Sequence, residues 1–76
     1  MIKDLDVVAL VRAVPERGLV AGDVGTVVMV LDCGRAFMVE FMTFTGKTIA
    51  VATLPADSVR PVLDREIAHV RQVAAE

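Results

Sequence analysis

One cysteine, one histidine, and neither tryptophan nor tyrosine in 76 residues put most catalytic and metal-binding arrangements out of reach of this chain. A lone thiol forms no internal disulfide, and one Cys with one His falls short of the four ligands of a structural zinc site. No metal and no cofactor are expected. With aromatics reduced to three phenylalanines, there is little to build the aromatic groove that grips proline-rich peptides. The space between the 15–21 loop and the 54–58 turn is therefore not read as such a groove. Positive charge is thin as well. Eight basic residues (Lys3, Arg12, Arg17, Arg35, Lys47, Arg60, Arg65, Arg71) lie scattered against ten acidic ones, for a net charge of −2. Nucleic-acid binders need clustered Lys and Arg to displace counterions, so nucleic acid is disfavoured as a partner. The opening Met1-Ile2-Lys3-Asp4-Leu5-Asp6 is acidic and no apolar leader core follows. No apolar run approaches the roughly 18 residues of a membrane span. A cytoplasmic protein without a membrane segment is expected.

What the chain does have is apolar residues, 55% of the total. So short a chain, without disulfide or metal, must draw its stability from its core, and self-association helps it. Residues 5–12 are apolar on both faces, as in a strongly bent or doubly covered strand. Pro15-Glu16-Arg17-Gly18 reads as a loop. Gly22-Asp23-Val24-Gly25 then forms a sharp turn, in which Asp23 closes onto nearby backbone. A strand follows over 26–31, and Asp32-Cys33-Gly34-Arg35 is a hairpin turn with Gly34 in the left-handed position. Residues 36–43 alternate clearly: Phe37, Val39 and Phe41 on the core side, Met38, Glu40 and Met42 on the other. After the turn at Gly46, a strand over 48–53 is expected to put Ile49 and Val51 on one face. A short helical turn over 54–58 and a brief last strand over 59–62 complete the β-rich part.

The period then changes. Asp64 is expected to cap a helix over about 65–75, with Ile67, Val70 and Val73 on one face. The expected organisation is a β-barrel over residues 1–63 and an amphipathic helix over 64–76, within a single domain. Five short strands, a long first loop and one helical turn before the last strand are the order of an SH3-like barrel. The expected fold class is thus mainly β, a five-stranded SH3-like barrel with a short C-terminal α-helix.

The glycine turn and its strand resemble the element found in ribosome- and transcription-associated SH3-like barrels. More closely, the chain resembles a small bacterial domain family of unknown function. The resemblance lies in Asp6-Val7-Val8, Gly18-Leu19, Gly22-Asp23-Val24-Gly25-Thr26-Val27-Val28, Val39-Glu40-Phe41, Gly46-Lys47-Thr48 and Thr53-Leu54-Pro55-Ala56-Asp57. It covers about residues 3–62, implies the barrel fold, and transfers no catalytic residue.

Three polar residues invite a chemical role. Asp23 suits a turn that satisfies backbone donors better than a cation site, and only Arg17 lies near it, where the ribosomal barrels are rich in basic residues. Cys33 has Arg35 beside it to favour its thiolate, but no resolving cysteine and no nearby base. His69, with no second His or Cys, reads as a solvated helix residue. No catalytic residue is assigned and the chain is not expected to be an enzyme. Gly18, Gly22, Asp23, Gly25, Gly34 and Gly46 are read as structural turn residues. The outward methionines carry the functional expectation: Met38 and Met42, with Met29 on the adjoining strand, form an adaptable apolar patch of the kind that marks an interface. Ile67, Val70 and Val73 belong to that interface, either covering the methionines within one chain or docking across a dimer. The expected function is a non-catalytic protein-interaction module, binding itself or a partner protein through the apolar outer barrel surface. The alternatives are an immunity- or antitoxin-like inhibitor of a partner enzyme and an RNA- or ribosome-associated barrel. These residues assign no small-molecule ligand.

Overall fold

The computed structural model describes residues 1–74. Five strands, β1 (Val7–Leu10), β2 (Val24–Leu31), β3 (Ala36–Met42), β4 (Thr48–Pro55) and β5 (Val59–Pro61), form one antiparallel sheet in the order β4-β3-β2-β1-β5. β2, β3 and β4 draw much of their length from β-branched or aromatic residues, which fits a pleated, half-buried surface. Short 3-10 turns at Pro15–Arg17, Asp32–Gly34 and Ala56–Ser58 join them. β4 and β5 are the outer strands and do not pair with each other. The expected SH3-like barrel is therefore corrected to an open five-stranded sheet. β5 has three residues and ends on Pro61, which has no N–H to extend a ladder, and it pairs with β1 alone.

One face of the sheet carries the core. Val8 and Leu10 of β1, Val27 of β2, Phe37, Val39 and Phe41 of β3, Ala50, Ala52 and Leu54 of β4 and Val59 of β5 are buried together, with Val14 and Leu19 added from the β1–β2 loop. The phenylalanine side of β3 is the enclosed side. Two bulges reset the alternation. In β2 the register passes from Val27↔Val39 to Met29↔Met38, leaving Val28 without an opposite residue. Val30 thereby turns toward Phe37 and the core while Met29 turns out. In β4 the register passes from Phe41↔Ala50 to Met42↔Thr48, and Ile49 is the extra residue. Ile49 packs on the core and Val51 is exposed, so the two do not share a face as expected. In the β2–β3 turn the left-handed backbone is not confined to Gly34: Asp32 and Cys33 also have φ of 50° and 56°.

The C-terminal helix is corrected too. Between Leu63 and Glu66 the chain makes a single turn, with the Glu66 N–H donating to the Leu63 carbonyl at 3.2 Å, and residues 66–74 have no regular secondary structure. Ala75 and Glu76, the end of the expected helix, lie outside the described residues. About three turns of helix are marginal in water without a docked face. Here Glu66 and Arg71 are engaged elsewhere, and their partners hold the segment in an irregular path across the sheet.

Candidate functional site

The glycine turn fixes the first part of the site. The Gly22 N–H donates to the Leu10 carbonyl at 2.8 Å and the Leu10 N–H to the Asp23 carbonyl at 2.9 Å, which ties the turn to the end of β1. The Asp23 carboxylate accepts the Val20 N–H at 2.9 Å, as the turn reading requires. It also does something local spacing did not reveal. Arg71, 48 positions away, donates Nε to Asp23 Oδ1 at 2.8 Å and Nη2 to Oδ2 at 2.5 Å, and Nη2 also reaches the Gly18 carbonyl at 3.1 Å. This is the fork geometry that guanidinium and carboxylate favour. Burial pushes the Asp23 carboxyl up, but the Arg71 guanidinium and the Val20 N–H outweigh it and hold its pKa below the ordinary value.

A second fork lies nearer β5. Arg60 donates Nη1 to Glu66 Oε1 at 2.8 Å and Nη2 to Oε2 at 2.6 Å, and Glu66 Oε1 accepts the Leu63 N–H at 2.7 Å. Arg60 first, then the Leu63 N–H, lowers the Glu66 pKa to about 2. It is Glu66, not Asp64, that closes the turn. The two clamps draw residues 62–74 over the face of the sheet opposite the core and leave between them an open groove of about 830 Å³, lined among others by Val7, Val24, Met42, Phe44, His69 and Val73.

That outer face holds the methionines. Met29 and Met38 are direct cross-strand partners, with Thr53 of β4 continuing the rung. The next rung runs Val7, Thr26, Glu40, Val51, and Met42 sits opposite Thr48. The Thr48 hydroxyl donates to Glu40 Oε2 at 2.7 Å, so the one carboxylate among these rungs has a partner beside it. Met29 and Met42 are about half exposed, Met38 less so, and Val7, Val24 and Val51 add exposed apolar surface that sequence reasoning missed. Its signal lies in strand order, which local periodicity does not carry. Ile67 and Val70 do not cover the methionines: they are 93% and 75% exposed, and only Val73 is half-buried.

The remaining candidates stay apart. Cys33 is exposed in the β2–β3 turn, and His69 lies exposed on the tail. Among the described residues no three His, Cys, Asp or Glu side chains gather as a metal site, and no helix is long and apolar enough to cross a membrane.

The clamps make a testable prediction. Asp23→Asn removes the charge that holds Arg71, so trypsin should cut after Arg65 several-fold faster while the far-ultraviolet spectrum of the sheet stays unchanged. Acid should act alike. Both carboxyls have depressed pKa values in the folded chain, so their contribution to tail docking is complete above the ordinary carboxylate range near about pH 4. It is lost as pH falls, for Glu66 through about 2. The methyl shifts of half-buried Val73 followed by NMR across that window should move toward random-coil values.

A family model described as a domain of unknown function (DUF4926) matches residues 4–61. No curated protein matches the chain, and no solved structure does. The match takes in all five strands, the glycine turn and the methionine rung, and ends where the clamped tail begins. On that match the chain belongs to the DUF4926 family.

Proposed function

We propose that the protein is a non-catalytic protein-interaction module that docks a partner protein on the outer face of its sheet. The observation that carries this reading is the Met29–Met38 rung, with Val7, Val24, Met42 and Val51 exposed on the same face of the sheet. Methionine is flexible and polarizable, so a rung of it adapts to a partner's contour, while the packed core beneath keeps the platform rigid. Exposed methionine and valine surface of this kind on one face of a small domain marks a contact site. A reducing, cytoplasmic setting suits the exposed Cys33, which would otherwise cross-link chains.

Methionine oxidation reads the contact directly. In an extract of its source cells, the tagged chain should show Met29, Met38 and Met42 oxidised by peroxide several-fold more slowly than in buffer, with Met1 unaffected as an internal control. A Met29→Lys/Met38→Lys variant, folded by circular dichroism, should lose the proteins that the native chain retains. Equal oxidation rates in extract and buffer, or an unchanged set of retained proteins, would refute the reading.

A further inference from the structure

We propose that β4 is a self-pairing edge, joining two copies of this chain into one continuous antiparallel sheet through a twofold axis at Ala52. The two ends of the sheet differ sharply. β5 is a protected edge, with three residues that include Arg60 and Pro61. β4 is eight residues long, Thr48-Ile49-Ala50-Val51-Ala52-Thr53-Leu54-Pro55, and carries no charge. Among the described residues its backbone hydrogen bonds go only to β3. Every second residue of such a strand points its N–H and C=O outward, and proteins blunt these edges with lysine, proline, bulges or short strands. Here the irregularities sit at the ends, the bulge at Ile49 and the proline at Pro55, and the stretch 50–54 between them is regular.

The strand is complementary to itself about Ala52. With Ala52 on the axis, Ala50 meets Leu54 of the second copy, both on the core side, and Val51 meets Thr53, both on the outer side. A shift by one residue would set core-side against outer-side positions. The same pairing sets the start of β4, which Lys47 precedes, beside the end of the second copy's strand, which Asp57 follows, and symmetry repeats that approach of opposite charges at both ends. Both side chains are exposed and, among the described residues, neither joins any side-chain hydrogen bond or ion pair. The edge borders the outer face at Val51 and Thr53, but the contact is made by β4 backbone and does not rest on the reading given for that face.

Sedimentation velocity on the full chain over a dilution series tests the pairing. The native chain should dimerise reversibly. Lys47→Asp and Asp57→Lys should each raise the dissociation constant about tenfold, by replacing two attractions with two repulsions, and the double exchange should restore it to within about twofold. Amides within 50–54 should exchange more slowly at millimolar concentration than after dilution. A monomer at millimolar concentration, a dimer indifferent to both charge reversals, or concentration-independent exchange at 50–54 would overturn the proposal. Met29→Lys/Met38→Lys should leave the dimer intact. If that variant dissolves it instead, the outer face is the self-contact and the edge is not.

Discussion

Phe41→Ala is expected to cost the protein about 3–5 kcal/mol, while Met42→Ala, one position on, leaves stability within about 0.5 kcal/mol. Phe41 is 3% exposed and belongs to the single core on which every strand depends. Truncating it forfeits the transfer energy of the ring and opens a cavity that Val39, Ala50 and their neighbours on β-strands can close only in part. A chain of this length has a total stability of only about 4–11 kcal/mol, so the urea midpoint should fall by at least roughly a quarter, with the slope unchanged. Met42 is 47% exposed and projects from the opposite face of the same strand. Its loss removes surface contacts and opens no cavity. If Phe41→Ala were tolerated and Met42→Ala were not, the two faces of β3 would be assigned backwards. The outer platform proposed for partner binding would then be the core.

That assignment was legible in the sequence because β3 states it three times, with Phe37, Val39 and Phe41 at a strict period of two and every aromatic of the strand on one side. The adjacency of Met29 and Met38 followed from it once the 32–35 turn was placed. Bulges leave no such trace. Val28 and Ile49 are ordinary β-branched residues, and nothing in their type says that the partner strand skips them. Barrel closure would need the two outer strands, β4 and β5, to pair, and local sequence pattern carries nothing about that lateral contact. The tail misled for a different reason. Asp64, Ile67, Val70 and Val73 have helical spacing, but a three-turn helix gains little on its own. Glu66 and Arg71 instead meet partners 6 and 48 positions away. Long-range ion pairs are invisible to periodicity, and here they set the path of the chain. The candidate site divides along the same line: its methionine rung was local and readable, while its clamps and the valines around it were tertiary.

Gly25→Ala should destabilise the fold by about 1–3 kcal/mol even though it adds a single methyl group to a strand residue. Alanine is ordinarily the better strand residue of the two, since glycine loses more conformational freedom on folding. Here the position decides otherwise. Gly25 has none of the positive φ that Gly18, Gly22, Gly34 and Gly46 adopt, so its requirement is for space alone. A Cβ there would stand 2.6 Å from Val39 Cγ1, 2.8 Å from the Glu40 carbonyl oxygen and 2.9 Å from Phe41 Cδ2. A rotamer change can move a methyl or a ring edge, but the carbonyl is backbone of β3, a strand paired on both sides. Relief therefore means pushing β2 away from β3 where both pack on the core, or losing ladder bonds. Gly25→Val should be worse again, because it sets two further carbons against the same backbone. Thermal melts of the native chain, the Ala variant and the Val variant should fall in that order. Gly46→Ala, at an exposed turn whose added Cβ meets nothing within 4 Å, separates the two kinds of glycine. Its cost comes only from the φ of +93° and should lie near about 1 kcal/mol. Since Val39 and Phe41 are both displaced by Gly25→Ala, pairing it with Val39→Ala should recover part of the loss, a non-additivity that two independent destabilisations would not show. Strict additivity of that pair would mean the methyl group meets something other than the β3 side chains, and the reading of this turn as an intimate β2–β3 contact would fail.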